Sequence, residues 1–322
     1  MQNSGFKTKI LTAIAFGLVS QYSLAALPDT LKLDYAYYAP TSLVVKEQKL
    51  LEKALPNTQI KWVFSQGSNR SLEYLNSGSV DFSSTAGLAA VLSRANGSPI
   101  KTVYIQSQPE WTALLVAKNS PIKSLKDLKG KKIAATKGTD PFLFTLQALE
   151  TAGLNKKDVQ LVHLQHPDGK TALERGQVDA WAGLDPLMAS AQVQSGAKLL
   201  YRNVGFNSYS VLSTKEQFAS QSPEAIEAVI KAYEQARKWA KANPAKLAEL
   251  LARESKLPIA VAKLQLSRTN FEQNIPTVKH LNALKKSGTI LTEEDLVRKG
   301  TNVNQVIDQL FDAKYANKVV NR

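Results

Sequence analysis

Three segments near the start of the chain carry apolar residues at strand period, and stretches of helical period separate them. Thr30–Ala36 (TLKLDYA) alternates apolar and polar residues and predicts a first strand; Ile60–Ser65 (IKWVFS) predicts a second and Val80–Ser83 a third. Between the first two, Leu43, Val44, Leu50, Leu51 and Ala54 form the apolar side of a helix, with Thr41 or Ser42 as its cap. A second helix ends near Asn76. Strands joined through one helix each are expected to be parallel and buried. Further strands are predicted over Trp111–Ala117, Val159–Leu164 and Ser208–Ser213, and Asp140-Pro141 and Asp185-Pro186 read as helix starts. From Ser222 the pattern turns helical, with Ile226, Val229, Ile230, Tyr233 and Ala236 on one side.

One stretch occurs twice. Leu75-Asn76-Ser77-Gly78-Ser79-Val80-Asp81-Phe82 is echoed by Leu173-Glu174-Arg175-Gly176-Gln177-Val178-Asp179-Ala180, at a constant offset of 98 residues. Each copy reads as a helix end, a turn and a short strand, and a loop and new helix follow. Two α/β units of similar plan predict two lobes of mostly parallel sheet flanked by helices, with a cleft between them. The chain is expected to leave lobe 1 near Trp111, build lobe 2 over 112–211, and return, so that lobe 1 comprises 26–111 and 212–322 and two crossings form a hinge.

The N-terminus does not fit this pattern. Lys7 and Lys9 precede the apolar run Ile10–Val19, and Ser23-Leu24-Ala25 sets small residues at a cleavage site. Residues 1–25 are therefore expected to be a removable export signal, the run being too short to span a membrane. Without that signal the net charge falls from +14 to +12. The lysines are scattered, which suits a solvated basic surface or attraction of a small anion, and export argues against nucleic acid. No cysteine is present, so disulfides, thiolate catalysis and Cys–zinc sites are excluded.

No catalytic constellation emerges. His163 and His166 stand at i, i+3 without a supporting cluster and read as cleft-lining or surface residues, and Ser120-Pro121-Ile122-Lys123 sits in a proline-bearing loop. What recurs is a loop of Gly, Ser and Thr after a strand and before a helix: Thr41-Ser42, Gly67-Ser68-Asn69, Ser84-Thr85-Ala86-Gly87 and Gly138-Thr139. Open α/β sheets bind ligands at such ends, where helix N-termini and hydroxyls suit an anion. Asp140 and Asp185 are either helix caps or cleft residues that favour a ligand bearing an amine. Tyr37, Tyr38, Trp111, Phe142 and Trp181 are candidates for an apolar wall, or for the core.

These motifs together resemble the periplasmic solute-binding proteins of ABC transporters for aliphatic sulfonates, taurine and related anions. The resemblance rests on Gly67, on Leu75–Phe82 with Ser83-Ser84-Thr85, on Leu125–Ala134 with Lys137-Gly138-Thr139, and on Leu149–Leu154. It continues through Ala172–Trp181 with Asp185-Pro186 and Trp239 with Asn243-Pro244, and so spans about Leu31 to Leu251. It implies a type II periplasmic binding protein that closes over its ligand, with a membrane permease as partner, no cofactor or metal, and a monomeric state. Family contacts carry over to Tyr37, Tyr38, Ser42, Gly67, Ser68, Thr85, Ala86, Thr139, Trp181 and Asp185, and Asp140 joins them as a candidate if it faces the cleft. Where sulfonate members carry an acidic residue and prolines after the Thr85 position, this chain has Gly87-Leu88-Ala89. An aliphatic sulfonate is the expected ligand; a pyrimidine or thiamine precursor, nitrate, or an enzyme on the same fold are the alternatives.

Overall fold

The computed structural model describes residues 27–321, so the expected export signal lies outside the described residues. The chain opens with β1 (Thr30–Tyr35), α1 (Pro40–Glu47), α2 (Leu50–Ala54), β2 (Gln59–Phe64), α3 (Ser68–Ser77), β3 (Phe82–Ala86), α4 (Gly87–Ala95) and β4 (Ile100–Pro109). It crosses to β5 (Leu114–Val116), β6 (Lys132–Ala134), α5 (Asp140–Thr151), β7 (Gln160–Val162), α6 (His166–Glu174), β8 (Ala180–Ala182), α7 (Leu187–Ser195) and β9 (Lys198–Tyr201). It then returns through β10 (Ser210–Lys215), α8 (Glu216–Gln221), α9 (Pro223–Ala242), α10 (Pro244–Ser255), α11 (Ile259–Leu266), β11 (Thr269–Asn270) and further C-terminal helices.

Two sheets result, in the orders β11-β4-β10-β3-β1-β2 and β7-β6-β8-β5-β9. Each has a parallel half, β3-β1-β2 in lobe 1 and β7-β6-β8 in lobe 2, as the helix-bearing connections require. The other half of each is antiparallel, through β10 and β4 in one sheet and β5 and β9 in the other. The sheets are thus mixed, with most strands of each running in one direction. The strand that brings the chain into each lobe from a crossover, β10 in one sheet and β5 in the other, runs against its neighbours, whereas β4 and β9, which lead out, run with the parallel half.

The repeated stretch has the same job in both lobes. Gly78 and Gly176 follow α3 and α6 with φ of 77° and 67°, a left-handed conformation that costs a glycine nothing. Asp81 then accepts from the Lys32 amide at 2.8 Å and donates its own amide to the Lys32 carbonyl at 2.7 Å. Asp179 does the same with Lys132, at 2.8 and 2.9 Å. The motif pins β3 against β1 and β8 against β6 at the end away from the helix starts.

Several element ends differ from expectation. The first helix breaks at Lys49, which has φ of 51°, and it is capped by Ala39 with Pro40 at its start. Ser42 lies inside that helix; its hydroxyl accepts from the Ala36 amide at 3.1 Å and donates to the Ala39 carbonyl, so it closes the turn after β1. Trp111 lies in the first crossover rather than in a strand, and the returning strand β10 begins at Ser210.

Candidate functional site

The hinge is built first, because it fixes how the lobes face one another. Its two crossovers are zipped together. Asn207 accepts from the Thr112 amide at 2.8 Å and donates to the Thr112 carbonyl at 3.2 Å, and Arg202 grips Glu110 through two nitrogens. Beneath them lies Asp140, 1% exposed, at the start of α5. Its carboxylate accepts from the Trp111 indole at 3.0 Å and from the Ser208 amide and hydroxyl at 2.9 and 2.8 Å. Burial nevertheless pushes this carboxyl up to about 6. Asp140 is thus a bracket between both crossovers, and not a helix cap; Thr139 precedes the helix in that position.

The cleft in front of this hinge holds a cavity of about 200 Å³. Lobe 1 supplies Tyr37, Tyr38, Phe64, Ser65 and Leu257, and lobe 2 supplies His166, Pro167, Leu184, Asp185 and Leu187. Tyr37 and Phe64 stack with ring centres 4.6 Å apart, and Tyr38 stands edge-on to Trp111 while its hydroxyl donates to the Ser84 carbonyl at 2.9 Å. The wall is therefore mainly apolar. Beside His166 at its edge, the loops before α3 and α5 approach the start of α6. A Cβ placed on Gly67 would lie 2.7 Å from His166 Nε2 and 3.1 Å from Asn69 Oδ1, and one on Gly138 would touch Asn69 at 3.6 Å. Gly67 has φ of −178°, open to any residue, so its glycine is required by the approach of the other lobe and not by its backbone.

Asp185, 1% exposed, joins the lobes more directly. One oxygen accepts from the Ala189 amide at 2.9 Å; the other faces the Arg268 guanidinium at 3.4 Å, and Arg268 also donates to Gln192. Arg268 follows α11 of lobe 1, whereas Asp185 and Gln192 belong to lobe 2. Burial outweighs the guanidinium and lifts the Asp185 carboxyl to about 6. Pro186 holds the capping position of α7, while Asp185 accepts from the Ala189 amide in its first turn and lines the cavity.

The remaining predicted residues divide. Ser68 and Ala86 are engaged with each other, the Ala86 amide donating to the Ser68 hydroxyl at 2.9 Å. The next two amides of α4 are also taken, Gly87 by the Tyr209 carbonyl and Leu88 by the Ser208 hydroxyl, so this helix start is sealed by the second crossover and not open to an anion. Thr139 donates its hydroxyl to the Thr136 carbonyl at 2.6 Å. Trp181 is not on the cleft wall: it packs in the lobe 2 core with Leu115, Leu173 and Met188. Thr85 is fully buried, and its hydroxyl has no partner. Below the cleft floor, Asp34 accepts from the Ser84 amide at 2.7 Å, and burial raises it to about 6.

Sequence reasoning did not single out Phe64, Ser65, Leu187, Leu257 or Arg268, which carried no motif. It left His166 undecided between cleft and surface; the structure buries it completely. That burial holds its imidazole down at about 3, so it is neutral. A larger groove of about 520 Å³, between Glu150, Phe206 and Lys286, offers no buried polar atom lacking a partner.

Residues 58–247 match the family described as NMT1/THI5 like. A relative in Escherichia coli (strain K12), named for binding aliphatic sulfonates, is 31% identical over 296 residues, which is 90% of this chain and 93% of that protein. The alkanesulfonate-binding protein SsuA of Xanthomonas axonopodis pv. citri, solved bound to MOPS, superposes with a TM-score of 0.81 at 26% identity, over 87% of this chain and 98% of that one. The periplasmic aliphatic sulphonate binding protein SsuA of Escherichia coli gives 0.75 at 28% identity, over 89% and 94%.

Proposed function

We propose, from the premise that this chain belongs to the NMT1/THI5-like family, that it is the substrate-binding subunit of an ABC importer and captures an aliphatic sulfonate between its lobes. The relatives named for sulfonate binding support a solute-binding role, and two of them match along nearly their whole length. Export to the periplasm and a membrane permease as partner belong to the same proposal. So do a monomeric state and the absence of a catalysed reaction.

The observation that carries the ligand class is the two-part cavity. The cavity as a whole has about 200 Å³, more than the ~150 Å³ that admits benzene, and Tyr37, Phe64, Leu184 and Leu257 bound its apolar side. An alkyl tail suits it; nitrate or sulfate alone leaves it unfilled. Each buried methylene contributes about 0.8 kcal/mol. At its edge beside His166 the loops before α3 and α5 approach the start of α6, and the partial positive charge of such helix starts suits an anion without a fixed cation. Asp185, which lines the cavity, is engaged by the Arg268 guanidinium.

In mechanism the protein does no chemistry. Closure brings Arg268 to Asp185 and Gly67 to His166, and a ligand that contacts both lobes stabilises that state over the open one. A ligand that binds only the native protein raises its melting temperature. A thermal-shift panel of short alkanesulfonates, sulfate, nitrate and pyrimidines should therefore show stabilisation by the alkanesulfonates. A shift with pyrimidines or nitrate and none with sulfonates overturns the reading.

A further inference from the structure

Besides the two crossovers, a third connection joins the lobes. The segment after β11 packs with lobe 1. Leu284 of α12 (Val278–Gly288) lies against Gly87, where an added Cβ would meet it at 3.3 Å. Asn96, which ends α4, donates from its side chain to the Leu296 carbonyl at 3.2 Å. Between these two anchors, the end of α13 (Ile290–Glu293) reaches lobe 2. There Lys156 donates to the Glu294 carbonyl at 2.6 Å, and its ammonium lies 3.0 Å from the Glu294 carboxylate.

Local structure sets both partners in place. Lys156 opens a short helical turn (Lys156–Asp158) after α5. Asn155 caps that turn by accepting from the Lys157 amide at 2.8 Å, and Asp158 accepts from the Asn155 amide at 2.9 Å. Glu294 follows α13, at a helix end whose last carbonyls have no amide of the helix to accept from. A lysine is a natural partner for such carbonyls, and here the same residue adds a carboxylate. The Glu294 side chain is 13% exposed and that of Lys156 36%, so water screens the pair only in part.

The pair touches nothing in the cleft. α5 begins at the hinge with Asp140, and its 12 residues carry the chain about 18 Å before the turn that bears Lys156. A contact that far from the crossovers is sensitive to rotation of one lobe against the other. The arrangement that sets Arg268 on Asp185 and His166 beside Gly67 also sets Lys156 on Glu294. We propose that Lys156 and Glu294 form a positioning tether that favours the shut lobes and so raises affinity for a ligand that neither residue contacts. This rests on the reading that the lobes close upon a ligand. An interaction made in the shut state alone shifts the population toward that state and adds to binding.

The test is calorimetry and stopped-flow kinetics with butanesulfonate on wild type, K156R, K156Q, E294Q and K156Q/E294Q. K156Q should weaken binding by about two- to fivefold, the range of a partly exposed ion pair, and it should do so through faster dissociation. K156R keeps a donor for both oxygens and should bind as wild type does. K156Q/E294Q should bind no more weakly than K156Q, because the second change removes a partner already lost. Wild-type dissociation rates in both K156Q and E294Q overturn the proposal, whatever their melting temperatures, since the contact would then be structural only. Losses that add in the double variant overturn it as well, because the two residues would then act separately. If butanesulfonate does not bind the wild type, the sulfonate reading fails, and the same comparison is made with nitrate or a pyrimidine, whichever binds. If none binds, closure upon a ligand fails and the tether fails with it.

Discussion

Gly67 shows how a single residue can be fixed by something far away in sequence. Its backbone is extended and accepts any side chain, yet a Cβ there would meet His166 Nε2 at 2.7 Å and Cδ2 at 2.9 Å. Both contacts are closer than packed atoms tolerate, and on the closure proposed above they form as the lobes shut. Gly67→Ala should therefore leave the melting temperature of the ligand-free protein within about 1 °C of wild type, because exposed-state geometry is unstrained. Ligand affinity should fall about tenfold or more, equal to about 1.4 kcal/mol of lost closure. A titration showing wild-type affinity would mean that the two lobes do not meet at this point. The Gly67 motif was visible in the sequence, but its reason was not: the partner, His166, lies in the other lobe. Trp181 shows the opposite case. A tryptophan beside a predicted loop suggested a cleft wall, whereas the strand alternation through Ala180–Ala182 turns it into the core.

At the scale of elements, local pattern located the strands and the helices well, because period and capping are local properties. The repeated stretch was legible for that reason, and its Asp81 and Asp179 prove to be strand pins. What pattern could not give was the hinge. Trp111 and Ser208 read as parts of strands because their neighbours are apolar, but both lie in crossovers held by Asp140. Asp140-Pro141 looked like a helix start, which it is, and nothing in the sequence marks its long-range partners. Replacing this carboxylate leaves an indole N–H, an amide and a hydroxyl buried without acceptors, each costing about 1–3 kcal/mol. Asp140→Ala should accordingly lower stability by at least about 2 kcal/mol in denaturant melts, far more than an exposed helix-cap change. A loss under 0.5 kcal/mol would show that the bracket does not hold the crossovers together.

For the whole molecule, three fully buried carboxyls and two buried imidazoles set an unusual response to acid. Asp34, Asp140 and Asp185 each rise to about 6 from an ordinary value of 3.8. A group with a raised native pKa gives stability that is complete below its unfolded value and lost as pH rises through the native one. These three therefore favour the native state increasingly as pH falls from about 6 toward 4. His166 falls to about 3 from 6.5, burial lowers His280 as well, and both oppose the carboxyls as pH drops below 6.5. Near pH 5 the native protein holds more of these protons than the unfolded chain, each net proton contributing about 1.4 kcal/mol per pH unit. Scanning calorimetry should find the melting temperature at pH 5 equal to or above that at pH 7. A fall of several degrees over that range would contradict the burial of these carboxyls in the native state.

The lobes, the hinge and the two-part cavity all bear on one question, whether an organic sulfonate is what the cleft closes upon. Titration calorimetry with ethane-, butane- and hexanesulfonate, and with nitrate, answers it. One ligand should bind per chain, with affinity rising by up to about 0.8 kcal/mol for each methylene until the cavity is full. Nitrate should be much weaker. Binding that is absent for every sulfonate, or that is tightest for nitrate, would contradict the assignment.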